Sequence, residues 1–270
     1  MYINIGTFQK GETNSYFTPE LYQRWMKVFA FLQNPVVAFF DNEEDMKYFE
    51  NLRHRLGANH TKVILVKRSQ LWSFSLRHGI RNIFNQPGYP KHHPNTVIPE
   101  YSCVMHAKYE FMRIATEVNI FHTQYFAWLD IGLFRILAES NDLSFFEIWL
   151  PPNFNSSTVA YTEVYRRMTS LNSKEVIYRN AVWVSGAFFI GEKSVMTKWT
   201  SEYIAATKAL LKKFKLMSTD QQVLYILYNW GQHTVNIQTY KNKNKEDWFY
   251  LGYLCKDQGY IKNHGPIQNS

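Results

Sequence analysis

The segment FAWLDIGLFR, residues 126–135, carries one acid, Asp130, out of an apolar run and straight toward Gly132, with Arg135 five residues beyond the acid. A buried carboxylate is costly unless a cation or hydrogen-bond donors compensate it. Asp130 therefore caps the next turn, pairs with Arg135, or holds something positive. The last of these is chemistry: hard ions such as Mg2+ or Mn2+ take carboxylate oxygens and keep water and phosphate as their other ligands. Ser185-Gly186 interrupts a second apolar run, VWVSGAFFIG at 182–191. A glycine inside a strand marks either a bulge or a place where a ligand approaches the backbone. Asp220-Gln221 follows Ser218-Thr219 at an expected helix start, where the dipole favours an acid and a plain cap is the competing reading. His264-Gly265 lies in the tail KNHGP, either exposed or a late ligand, while the neighbouring His92 and His93 diverge on a regular backbone and read as a solvated loop.

Elements must carry these residues to one place. Thr18-Pro19-Glu20 is a helix start, and Leu21, Trp25, Val28 and Leu32 continue it at helical spacing toward Asn34-Pro35. PVVAFFD (35–41) reads as a buried strand ending in an acid, Asp41. Residues 42–56 follow as a helix with acids first and bases last, stopped by Gly57. TKVILVKR (61–68) is a further strand, and the alternation predicts an α/β layer. Residues 70–98 read as an irregular excursion and 138–180 as polar and turn-rich. A helix is predicted after Pro99, a strand at YFAWLDI, helices over 192–214 and 219–230, and short strands over 234–240 and 247–255. The loop KNKNKED (241–247) is read as solvated.

At 270 residues, 46% hydrophobic and 17% aromatic, the chain can bury a proper core and is not a disordered protein. No apolar run reaches the length of a membrane span, and MYINIGTFQK lacks the pattern of a signal peptide. Two cysteines offer neither a disulfide framework nor a metal-binding spacing. The expectation is a cytoplasmic protein; a lumenal domain freed of its anchor is the alternative. The net charge of +8 favours anionic ligands, including phosphate-bearing small molecules. The basic residues are scattered, with no nucleic-acid fingerprint, so no nucleic-acid partner is expected.

Four strings stand in fixed order: YQRWMKVFAFLQNPVVAFFD, HAKYEFMRIATEVNIFHTQYFAWLDIGLFR, VSGAFFIGEKSVMTKW and STDQQVLYILY. Together they resemble the HtrL/YibB (WlaTC-like) family, grouped with GT-A nucleotide-sugar transferases, over about residues 1 to 235. The resemblance is strongest at Trp128 to Arg135 and Ser185 to Gly191. It implies an α/β, GT-A-like single domain over 1–270, with a mixed, mostly parallel central sheet flanked by helices. About 1–135 would bind the nucleotide-sugar, and about 136–270 the acceptor.

The implied activity is transfer of a sugar from a nucleotide-sugar, a UDP-sugar first, to a glycan or other hydroxyl acceptor. Asp130 would stand at the first acid of the D-x-D motif and hold Mn2+ or Mg2+. Here the motif is degenerate, because Gly132 replaces the second acid. His264 would match the late histidine that glycogenin-like transferases use as a metal ligand. Asp220 would be the base of an inverting enzyme, and Gln221 would face the anomeric carbon of a retaining one. Ser185 and Gly186 would flank the donor sugar. Lys108 would face the nucleotide or its phosphates, Ile5, Gly6 and Thr7 the base and ribose, and Arg135 the diphosphate, the sugar or Asp130. The alternative is a catalytically silent sugar- or protein-binding module on the same fold, for which the missing acid speaks.

Overall fold

The resemblance to GT-A transferases implies that INIGTF, residues 3–8, is the first strand, but Asn4 prevents it. Its side-chain oxygen accepts the Gly6 N–H at 3.0 Å, a local turn that competes with a ladder, and Gly6 takes a left-handed φ of 79°. What pairs instead is Tyr2, in a lone parallel bridge to Phe40. The computed structural model describes residues 1–11, 15–55, 57 and 60–264, with side chains described through residue 258.

Beyond the turn, β1 (Phe8–Gln9) and β2 (Tyr16–Phe17) form an antiparallel ribbon. Helix α1 (Pro19–Met26) starts as its sequence predicts, with the Thr18 hydroxyl accepting the Leu21 N–H, and tightens into a 3-10 turn over Lys27–Ala30. Strand β3 (Val36–Phe40), helix α2 (Glu43–His54), capped by Asn42, and strand β4 (Thr61–Leu65) follow. The two strands are parallel, from Val36 opposite Thr61 to Phe40 opposite Leu65.

The excursion over 70–98 is more regular than its composition suggests. It holds α3 (Trp72–Ser75) and α4 (Arg77–Phe84), the latter burying Ile80, Ile83 and Phe84 at helical spacing. Helix α5 (Pro99–Val118) then delivers the chain to β5 (Tyr125–Leu129). The polar stretch 138–180 also conceals order. After α6 (Arg135–Glu139) come strand β6 (Thr158–Glu163), almost wholly buried, and α7 (Ser173–Tyr178) with a reciprocal Asn172–Glu175 cap.

Strand β7 (Val184–Glu192) is followed by α8 (Lys193–Ala209), α9 (Asp220–Trp230), β8 (Asn236–Tyr240) and α10 (Tyr250–His264). The strand expected over 247–255 is thus the start of a helix. Leu251 and Cys255, four residues apart, are both fully buried, a helical rather than a strand period.

The largest sheet has the order β5-β7-β6-β8. Strand β7 runs against both β5 and β6, whereas β8 is parallel to β6. The sheet is therefore mixed, as expected, but not mostly parallel, since two of its three pairings are antiparallel. Its core face is aromatic. Trp128 lies over Phe189 at 6.2 Å, and Phe189 stacks on Tyr109 at 5.7 Å and Tyr161 at 5.1 Å. These rings fix β5 and β7 against α5, and with them the residues that follow.

Candidate functional site

Strand β7 is not broken at Ser185-Gly186; it is irregular there. The step from Tyr161 to Glu163 on β6 faces the longer step from Phe189 to Val184 on β7. The surplus backbone of β7 bends, with the Ala187 N–H turned onto Ser185 Oγ at 3.2 Å. The Gly186 carbonyl is thereby freed from the β6 ladder and accepts from Lys108 Nζ at 2.9 Å. The glycine is required for a second reason: a Cβ on Gly186 would fall 2.3 Å from Asp220 Oδ2.

Lys108 comes from the middle of α5 and is 2% exposed. Besides Gly186 O, its ammonium meets Asp130 Oδ2 at 3.1 Å and Asp220 Oδ2 at 3.2 Å. An ammonium has three N–H groups, and these three acceptors surround it. The contact to Asp130 is a hydrogen bond. The one to Asp220 is close enough for an ion pair but lacks hydrogen-bond alignment, which leaves Asp220 Oδ2 as a buried oxygen without a hydrogen-bond partner. Burial alone would lower the pKa of Lys108, but Asp130 and Asp220 outweigh it and hold the group above the ordinary lysine range. Asp220 moves the other way from a usual surface acid. Burial raises its pKa, Lys108 offsets this only in part, and the charge of Asp130 adds to the rise.

Asp130 sits just past β5, and its N–H extends the pairing to Ala187 O at 2.9 Å. Side chains two apart on a strand share a face, so Trp128 can donate its indole N–H to Asp130 Oδ1 at 2.6 Å. The W-x-D spacing therefore has a mechanical meaning, and Trp128 is a site residue that sequence reasoning left without a role. Asp130 pairs with Lys108 and not with Arg135. The Arg135 guanidinium instead lies over two rings, 4.8 Å from the centroid of Phe249 and 5.8 Å from that of Trp25.

These groups floor a cleft of about 790 Å³. Of the residues singled out from the sequence, Ile5, Gly6, Lys108, Asp130, Arg135, Ser185, Gly186, Asp220 and Gln221 all line it. Thr7 is exposed and does not. Gln221 is tied down, its side-chain amide donating to Val184 O at 3.1 Å. The His264 side chain lies outside the described residues. The cleft also takes in residues that the sequence did not flag. Lys10 is one, from the ribbon, with its ammonium 5.1 Å from the Phe17 ring centroid. Others are the end of the loop read as solvated, Lys245 to Asp247, and Trp248 just beyond it. Lys10 as a whole is exposed, yet its ammonium is hemmed in by the cleft walls; desolvation lowers its pKa, and Asp130 opposes the shift.

The same arrangement tests whether a divalent ion fits. The place between the two acids is filled by the Lys108 ammonium, and the second oxygen of Asp130 is taken by Trp128. Nor is there easy room for the missing acid of the motif, since a Cβ on Gly132 would come within 3.2 Å of the Trp25 ring. Among the described residues no group of three or more His, Cys, Asp or Glu side chains converges on a metal position. The described donors do not fit a divalent ion between Asp130 and Asp220.

Fold and cleft together define an α/β protein with a charged pocket at strand ends, the usual place for ligands in such sheets. Residues 1–255 match the family described as "Bacterial protein of unknown function (HtrL_YibB)", and the chain belongs to that family. No curated protein and no solved structure matches it. Among the described residues no helix is long and apolar enough to cross a membrane.

Proposed function

We propose that this chain is a glycosyltransferase of GT-A-like fold that moves a sugar from a nucleotide-sugar, a UDP-sugar first, to a hydroxyl of a glycan acceptor. One observation carries the reading. A cleft large enough for a nucleotide-sugar has two acids and a lysine on its floor, an arginine on its wall, and the turn at Gly6 at its rim. The strand directions support it as well: β5, β6 and β8 run one way and β7 against them, with the β3–β4 pair joined to the first residues through Tyr2.

In this reading the base and ribose lie against Ile5 and Gly6, and the diphosphate lies toward Arg135. The acceptor oxygen attacks the anomeric carbon. The bond from that carbon to the diphosphate oxygen breaks, and its electron pair leaves on the diphosphate. Cationic side chains stabilise the departing charge, and the oxocarbenium-like sugar is stabilised by the carboxylates of the floor. Asp220 takes the acceptor proton, because its Oδ2 is buried without a hydrogen-bond donor and its raised pKa suits a group that must hold a proton. Asp130 and Lys108 keep Asp220 in place. A cytoplasmic setting is part of the proposal; Cys103 and Cys255 are free and buried.

The test needs no acceptor. Slow hydrolysis of UDP-, GDP- and dTDP-sugars is followed by nucleotide release, with wild type and Asp130→Asn side by side. Release from one donor that Asp130→Asn abolishes, with the fold intact by circular dichroism, is the expected result. Silence across the panel, together with no calorimetric binding of UDP, would instead favour a catalytically silent binding module.

A further inference from the structure

We infer that the cleft meets the diphosphate of its donor with side-chain cations alone, Lys10 and Arg135, while Lys108 occupies the place between the acids where a divalent ion would sit. The inference rests on the donor reading above. It starts from Lys108, whose ammonium is enclosed by Asp130 Oδ2, Asp220 Oδ2 and Gly186 O at 2.9–3.2 Å. With two N–H groups bonded to Asp130 and Gly186 and the Asp220 carboxylate ion-paired at 3.2 Å on its remaining side, the buried ammonium leaves no side open to a phosphate. Its part is to hold two carboxylates together in a buried floor, where unpaired they would repel each other.

A cation delivered from α5 thus does the bridging that a metal does in sites built from two acids. Bringing a second, doubly charged cation to the same oxygens would place it against a buried ammonium. Trp128 closes the remaining Asp130 oxygen, and the Trp25 ring closes the space beside Gly132.

The diphosphate's charge must then be met elsewhere, by the other cations that line the cleft: Lys245 on the 241–247 loop, and Lys10 and Arg135, the two that are set against aromatic rings. Lys10 and Arg135 both line it, and neither has a carboxylate partner among the described residues. Each rests on aromatic faces, Lys10 on Phe17 and Arg135 on Phe249 and Trp25. Rings of this kind position a cation without neutralising it, and a planar guanidinium matches phosphate oxygens in pairs. When the sugar–oxygen bond breaks, the electron pair left on the diphosphate faces these two groups.

The experiment uses the full chain, Mn2+ and UDP. Paramagnetic resonance of free Mn2+ should show none bound by the protein alone. Calorimetric UDP affinity should agree within about twofold between Mn2+ and excess EDTA. In EDTA, Arg135→Gln and Lys10→Gln should each weaken UDP by about tenfold, the scale expected for losing one charge-assisted contact. Stoichiometric Mn2+ binding that Asp130→Asn removes would overturn the inference, as would UDP binding that requires Mn2+. Either result leaves the donor reading standing. UDP binding in neither condition would overturn both.

Discussion

Two buried cations, Arg53 and Lys108, are almost equally hidden from water, at 1% and 2% exposure, and they are handled in opposite ways. Arg53, in the last turn of α2, donates to Phe29 O at 2.6 Å, to Leu32 O, to Asn34 O at 3.3 Å and to the Thr61 hydroxyl at 2.8 Å. All its acceptors are neutral, and together they lock the end of the first helical segment to β4. Burial lowers its pKa to about 10, still far above neutrality, so it stays charged. Lys108 has two acids for partners, faces a cleft, and has its pKa raised. Neutral acceptors make a joint that is the same at every ordinary pH. Acidic partners make a site whose charge can change, and only the second kind of burial is useful at a place of reaction.

Replacing each cation by methionine should break the comparison most visibly. Lys108→Met leaves Asp130 and Asp220 facing each other, and breaking a buried pair in this way costs about 3 kcal/mol or more. Without the ammonium the Asp220 carboxyl, already raised by burial and by the charge of Asp130, loses the cation that opposes the rise. A raised carboxyl pKa means stability present below the unfolded pKa, near 4, and lost as pH rises through the folded one. The deficit of Lys108→Met should therefore be full at pH 8 and shrink toward pH 4, as denaturant melts across that range would read. Arg53→Met strips donors from buried carbonyls at a cost of about 2–3 kcal/mol, with no titrating partner. Its deficit should be equal at pH 5 and pH 8, and UDP binding per folded molecule unchanged. A pH-dependent deficit for Arg53→Met would dissolve the distinction.

Gly186→Ala acts on the site without touching a charge. The new Cβ, 2.3 Å from Asp220 Oδ2, must push the acid or the strand aside. Overpacking of this kind costs about 1–3 kcal/mol. Stability should fall by that amount, and donor hydrolysis by more than donor binding. Hydrolysis that persisted unchanged would remove Asp220 from the reacting centre.

What the sequence made legible follows the same division between local and non-local causes. Caps, strand ends and the acid-first, base-last pattern of α2 are local, and the Thr18 cap and the start of α9 at Asp220 lie where they were expected, with α2 beginning one residue later than read, behind Asn42. The missed elements depend on distant partners. TVAYTE becomes β6 because β7 and β8 flank it, and YLGYLC becomes helical where Gly252 meets Leu133. In the site, Asp130 and Gly186 stood out as misfits in their own segments, and Asp220 as an acid at a helix start. Lys108 did not: on α5 it looks like any helical lysine, the family resemblance alone set it toward the nucleotide or its phosphates, and only the fold shows it buried between two acids. Lys10 gave no local signal either, since its place in the cleft depends on the β1–β2 ribbon.

The smallest expected effect is the one that separates function from stability at a single residue. Asp220→Asn keeps the shape of the side chain and removes its ionisation. Because burial and Asp130 raise the folded pKa of Asp220, its ionised form is a cost above the unfolded carboxyl range, and the cost vanishes as pH falls toward 4. The amide escapes it. Losing a negative charge at the first turn of α9 works against this by about 0.3–1 kcal/mol, and Lys108 keeps Asp130 as a partner. The net change should be within about 1 kcal/mol and stabilising at pH 8, closing by pH 4.5, while donor hydrolysis falls sharply. Melting curves at the two pH values, run beside the nucleotide-release assay, check both halves. A variant less stable at pH 8 would mean that the ion pair outweighs burial, and Asp220 would then belong with Arg53 as part of a joint. A variant more stable and less active would mean that the chain keeps a buried acid at a cost in stability, which packing alone does not require.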